Sequence, residues 1–180
     1  MIFLRHPRPL VASGLCYGRL DVEEGPRAGV EIATALARTP PVAHVLASPA
    51  RRCRRLAERL AARDGAPLTV EPRLWELDFG AWEGRLWTEI DRRQSDPWAE
   101  DPWTQAPPGG ERFADLYART AAVLAEAAPG TALVTHAGVI RAARMILTGA
   151  DFKTVFATPV PYAEPLSITA DTARETPWPT

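Results

Sequence analysis

The 180-residue chain is poor in cysteine and histidine and carries no excess of either charge. Its two cysteines, Cys16 and Cys53, are too few for a disulfide framework. Lysine plus arginine, 21 residues, nearly cancels the 22 aspartates and glutamates, leaving a formal charge of -1. Such a chain is a poor general binder of nucleic-acid backbones, and its only dense basic run is local. No stretch of about 18 apolar residues occurs, so none predicts a membrane-spanning helix. The opening Met1-Ile2-Phe3-Leu4-Arg5-His6-Pro7 lacks the long apolar run and small-residue cleavage site of a secretory signal. These absences predict a cytoplasmic protein without a nucleic-acid or membrane partner.

What is present argues for one folded domain over residues 1–180. Hydrophobic residues make up 46% and charged residues 24%, close to the globular average. Met1–Leu4 is an apolar run that ends abruptly in Arg5-His6, which predicts a buried strand with a polar pair at its carboxyl end. Residues 7–25 hold the prolines and glycines of a long loop. Pro26 suits the first turn of a helix whose apolar face is Ala28, Ile32, Ala35 and Leu36, through Ala37. Val42–Ala47 predicts a second strand, with His44 a structural histidine inside it. Ser48-Pro49 has the form of a helix start, and the helix should run to about Arg63, burying Leu56 and Leu60.

Pro67–Val70 predicts a third strand, followed by a Trp- and Gly-rich segment from Leu74 to Trp87. Residues 94–110, with four prolines and two tryptophans, read as a loop or lid. Phe113, Leu116, Tyr117, Thr120 and Leu124 mark an amphipathic helix. Thr131–Thr135 is a fourth strand, ended by His136-Ala137-Gly138, and a helix follows to Gly149. Leu166–Ala170 predicts a last strand before a frayed Pro-rich tail. The alternation predicts an α/β fold, a three-layer α/β/α sandwich on a mostly parallel central sheet. In such sheets ligands bind outside the carboxyl ends of the strands. His6, His136 and Ser48 all fall at such ends.

Two further groups carry chemistry. Most of the run Arg51, Arg52, Arg54, Arg55, Arg59 and Arg63 suits a solvated helix face. An arginine in the first turn differs, because the amino end of a helix already favours anions and a guanidinium completes the cradle. Glu76 and Glu83 lie among Trp75, Phe79, Trp82 and two glycines, a shaped setting that suits a carboxyl group acting as a general acid.

Four pieces, Leu4-Arg5-His6, Ser48-Pro49-Ala50-Arg51-Arg52, Leu74-Trp75-Glu76 with Phe79-Gly80 and Trp82-Glu83-Gly84, and Val134-Thr135-His136-Ala137-Gly138 with Ile140-Arg141, stand in order. Together they resemble the histidine phosphatase, or phosphoglycerate mutase-like, superfamily over roughly residues 1 to 150. Cys16-Tyr17-Gly18-Arg19-Leu20-Asp21 and Pro108-Gly109-Gly110-Glu111 are similar to its alpha-ribazole phosphatase branch. Two departures stand out: Pro7 and Arg8-Pro9 replace the family's usual glycine and the acidic and hydroxyl residues after it, and Leu56 replaces its usual threonine.

The resemblance implies a metal-independent phosphomonoesterase that needs no cofactor and works through a phosphohistidine on His6. Arg5, Arg52 and His136 would surround the phosphoryl oxygens, joined by backbone donors near Gly18 and Ala137. Glu76 would exchange the proton, with Glu83 a structural or rim residue. The implied partner is a small phosphorylated substrate, alpha-ribazole 5′-phosphate of cobalamin nucleotide-loop assembly, and a homodimer stays open. The alternatives are a broad-specificity phosphatase, a mutase-like enzyme and a non-catalytic phospho-ligand module. Most of Trp75, Trp82, Trp87, Trp98 and Trp103 read as core or loop anchors, with one or two left to line a pocket for an aromatic leaving group.

Overall fold

The computed structural model describes residues 1–169, so the expected tail lies outside the described residues. Among the described residues five strands form one sheet: β1 (Ile2–Arg5), β2 (His44–Ala47), β3 (Leu68–Val70), β4 (Thr131–Thr135) and β5 (Pro165–Ser167). Their order is β3-β2-β4-β1-β5. The β2–β3, β2–β4 and β1–β4 pairs are parallel, and only the edge strand β5 runs antiparallel, against β1. Helices α1 (Ala28–Arg38), α2 (Arg51–Asp64), α3 (Arg92–Glu100), α4 (Phe113–Glu126), α5 (Ala137–Thr148) and α6 (Phe152–Ala157) fill the connections.

Alternation along the strands decides which helices cover which face. Phe3 and Leu133 point into one core with Leu116 and Val123 of α4 and Val139 and Ile140 of α5. Their neighbours Leu4, Ala132 and Val134 point into the other, with Ile32 and Ala35 of α1 and Leu56 and Leu60 of α2. The result is the expected three-layer sandwich. Each fully buried leucine contributes roughly 1.5–3 kcal/mol. Leu56, which stands in place of the threonine that the resemblance leads one to expect, is one of them. Gly65 ends α2 at φ 62°, a left-handed cap that favours glycine.

Four local points differ from expectation. Residues Arg92–Glu100 of the expected loop are helical despite Pro97. Asp91 caps this helix by accepting the Arg93 N–H, and Trp98 packs on Phe79, Trp82 and Trp87, so side-chain packing outweighs one missing backbone donor. Helix α6, unheralded in the sequence, is capped by Asp151, whose carboxylate accepts the Thr154 N–H. The last strand is Pro165–Ser167, shorter than expected, and Ala170 lies outside the described residues. His44 opens β2 and is exposed, so it is no part of the core.

Parallel register brings the ends of three strands level. Arg5 pairs with Thr135 and Ala47 with Val134, so His6, Ser48 and His136 leave the sheet side by side. The His6 N–H donates to the Thr135 carbonyl at 3.0 Å and the Ser48 N–H to the Val134 carbonyl at 3.0 Å.

Candidate active site

His6 and His136 face each other with ring centroids 5.2 Å apart and planes at 62°. His6 Nδ1 lies 2.7 Å from the Pro7 carbonyl oxygen. Only an N–H satisfies that contact, so Nδ1 carries the proton and Nε2 keeps its lone pair. The contact uses the carbonyl of Pro7, which proline retains, so the departure from glycine leaves it intact. Burial, then the Arg52 charge, hold the His6 pKa well below the usual 6.5, and the bond to Pro7 only partly opposes them.

His136 is completely buried at the amino end of α5. Its Nε2 meets Ser48 Oγ at 2.7 Å, and its Nδ1 lies 3.3 Å from an Arg52 Nη, which can only donate. The consistent tautomer therefore has a proton on Nε2, donated to Ser48, and a bare Nδ1. Burial, then Arg52 and His6, hold its pKa well below 6.5. Trp75 stacks parallel to this ring at 6.2 Å.

Arg52 is fully buried, a costly position for a charge without partners. Its Nη atoms donate to the carbonyls of Leu20 at 2.8 Å and Gly18 at 2.5 Å, while its Nε has no acceptor among the described residues. Arg5 donates to the Val160 carbonyl at 2.9 Å and lies 3.6 Å from the Tyr162 ring centre, and its buried Nε is likewise unpaired. Two unpaired buried guanidinium donors beside two imidazoles make a setting that takes an anion.

Glu76 reaches the same place from the segment after β3. Its carboxylate accepts the Leu77 N–H at 3.0 Å and the Gly138 N–H at 3.1 Å. A Cβ on Gly138 would sit 2.2 Å from Glu76 Oε1, so only glycine admits the carboxylate there. Ala137 is buried and opens α5, where the first N–H groups have no helical acceptor.

Gly18 requires a correction. Its N–H donates to Glu83 Oε2 at 2.9 Å and is not a donor toward the pocket. Glu83 also accepts from the N–H groups of Arg19, Leu20 and Phe79, so one carboxylate folds the 18–20 turn. Gly18 is needed there for space, since a Cβ would lie 1.9 Å from the Leu77 carbonyl.

The other tryptophans serve as anchors. Trp82, Trp87 and Trp98 pack on one another with Phe79, and Trp103 packs on Phe113 and Tyr117. Sequence reasoning missed Arg119, which ties the Glu76 segment down. It donates to the carbonyls of Arg73, Trp75 and Glu76 and to both oxygens of Glu111. On α4 it is one polar residue in an amphipathic pattern, and nothing in that pattern marks it. Tyr162, whose hydroxyl meets that of Tyr17 at 3.2 Å, carried no signal either, and Tyr17 stood out only as part of the 16–21 stretch.

The family model described as Histidine phosphatase superfamily (branch 1) matches residues 1–176. The chain belongs to that family. A bifunctional protein of Mycobacterium tuberculosis (strain ATCC 25618 / H37Rv) is 39% identical over 88 residues, which cover 47% of this chain but only 24% of that relative. The glucosyl-3-phosphoglycerate phosphatase of Mycolicibacterium vanbaalenii is 30% identical over 169 residues, 83% of this chain and 74% of the relative. The fold of the alpha-ribazole phosphatase from Shigella flexneri superposes with a TM-score of 0.81 at 22% identity, over 91% of this chain and 87% of that one. That likeness concerns the fold.

Proposed function

We propose that the chain hydrolyses a small phosphate monoester through a phosphohistidine on His6. The observation that carries this reading is the 2.7 Å contact from His6 Nδ1 to the Pro7 carbonyl, which leaves Nε2 as the nucleophile. Nε2 attacks phosphorus and the ester P–O bond breaks. The leaving oxygen takes a proton from Glu76. Water then attacks the phosphohistidine, gives a proton to Glu76, and the P–N bond breaks to release phosphate.

Arg5, Arg52 and the Ala137 N–H hold the phosphoryl oxygens throughout, while His136, whose Nε2 proton goes to Ser48, accepts from Arg52 at Nδ1 and steadies that guanidinium. Phosphoryl transfer has a loose transition state, so positioning and charge stabilisation carry the rate. The chain's own cations supply both. Gly18 contributes through its carbonyl, which aims Arg52.

For the substrate, two motif stretches support alpha-ribazole 5′-phosphate, and the identity to a glucosyl-3-phosphoglycerate phosphatase supports a phosphorylated sugar acid. A side-by-side rate comparison of the two compounds separates them. The chemistry itself is tested with His6→Ala, expected to lower turnover of p-nitrophenyl phosphate at least about 10³-fold while folding stays intact. A rapid alkaline quench of the wild-type enzyme with radiolabelled ester should trap label on His6. Full turnover by the alanine variant would remove the nucleophile assignment.

A further inference from the structure

The nucleophile is hidden. His6 is 2% exposed, and His136 and Arg52 are completely buried, so an ester reaches Nε2 only where a neighbouring group moves. Two tyrosines from segments far apart in the chain are such neighbours. The Tyr162 ring lies 5.6 Å from the His6 ring, with the Arg5 guanidinium carbon 3.6 Å from its centre. The Tyr17 ring has the Arg52 guanidinium carbon 5.6 Å from its centre. Each ring thus borders one side of the phosphate cradle, and a single hydroxyl contact of 3.2 Å joins them. Burial pushes the Tyr17 hydroxyl well above its usual range, against the pull of Arg5 and Arg52, so it stays a neutral O–H.

The backbone is tied on both sides of this contact. The Cys16 N–H donates to the Arg85 carbonyl at 2.8 Å, its own carbonyl accepts from Gly84 at 2.8 Å, and the Gly18 N–H goes to Glu83, so Tyr17 projects from a fixed turn. Across the gap the Ala163 N–H donates to the Arg5 carbonyl at 3.0 Å. Ala163 has φ 49° and is the one non-glycine residue with left-handed backbone among the described residues. Such strain persists where the surroundings over-determine it, and here it keeps Tyr162 beside Arg5. With both backbones held, rotation of the two side chains is the motion left, and one hydroxyl pair is easily broken and remade.

Building on the phosphatase reading, we propose that Tyr17 and Tyr162 form a side-chain gate over His6 which makes water, and not a larger alcohol, the acceptor of the phosphoryl group. The rings part to admit the ester. Once the leaving alcohol has gone, the hydroxyls meet again over the phosphohistidine. Water exchanges hydrogen bonds with them and passes to phosphorus, where its O–P bond forms, the Nε2–P bond breaks and Glu76 takes its proton. A larger alcohol brings a carbon chain that the joined rings exclude.

Access is read without any ester. Diethyl pyrocarbonate acylates unprotonated imidazoles, and peptide mass spectrometry follows its rate at each of the three histidines. Tyr17→Ala and Tyr162→Ala should raise the rate at His6 about tenfold or more, while exposed His44 keeps its rate. Completely buried Cys53 should stay closed to iodoacetamide wherever the fold holds, and leucine variants replace any alanine variant that labels there. The acceptor is read as a ratio, which only active molecules enter. With p-nitrophenyl phosphate and added glycerol, the wild type should release p-nitrophenol and phosphate in equal amounts. Either alanine variant should release less phosphate than p-nitrophenol, the difference appearing as glycerol phosphate, and Tyr17→Phe, which keeps the ring, should stay nearer the wild type. Equal His6 modification in wild type and variants overturns the gate, and so does an unchanged product ratio. Loss of all turnover in both variants would make the rings part of the chemistry and overturn it as well. If the wild type cleaves no ester, the phosphatase reading fails, and His6 modification alone then decides whether the two tyrosines close the site.

Discussion

At the scale of single residues, the chemistry depends on hydrogen-bond partners that fix which nitrogen or oxygen is free. Ser48 is the plainest case, since its Oγ takes the Nε2 proton of a completely buried imidazole. Ser48→Ala leaves that donor without a partner, and urea denaturation should register a loss of about 1–3 kcal/mol, accompanied by a fall in kcat. Gly138 works through its missing side chain. Gly138→Ala must push the Glu76 carboxylate aside, and kcat should drop by about 10² with a near-native circular dichroism spectrum, because displacements near 1 Å carry that cost. Neither thiol joins the chemistry. Burial pushes Cys16 and Cys53 up to about 12, so iodoacetamide at pH 8 should label neither until denaturant is added.

Elements determine how these residues meet. Strand ends hold His6, Ser48 and His136, the start of α2 holds Arg52, and the segment after β3 holds Glu76. That plan was legible in the sequence, because apolar runs ending in His6 and His136 mark carboxyl ends of parallel strands, and the arginine run marks a helix start. Arg119 was not legible. It reaches Glu76 through three backbone carbonyls, and carbonyls leave no trace in a residue pattern. Glu83 was only half legible, since its four N–H donors come from two loops brought together by the fold. Arg119→Met removes the tie between α4 and the Glu76 segment and takes from Glu111 its bidentate partner, leaving it Arg19 at 3.7 Å and the Asp78 N–H. It should cost on the order of 3 kcal/mol and lower kcat more than KM, while Arg119→Lys should recover little because one ammonium cannot serve the same fork of acceptors.

For the molecule as a whole, two imidazoles kept neutral by burial make folding sensitive to acid. Both have folded pKa values well below 6.5, so the unfolded chain binds protons that the folded chain refuses as pH falls through 6.5. The stability they contribute is therefore present above about pH 6.5 and lost below it, with a slope approaching about 2.7 kcal/mol per pH unit if both refuse. Thermal midpoints measured from pH 7.5 to 5 should fall accordingly, and a His6→Asn/His136→Asn double variant should flatten the curve. The order of strands adds a constraint in time. β1 and its parallel neighbour β4 lie far apart in the chain, so about 130 residues separate His6 from the imidazole that faces it. During synthesis on the ribosome, the β2–β3 pair can form early, but β1 stays unpaired until β4 arrives between it and β2, and a nascent chain released before Gly138 would be inert however well its earlier elements had folded.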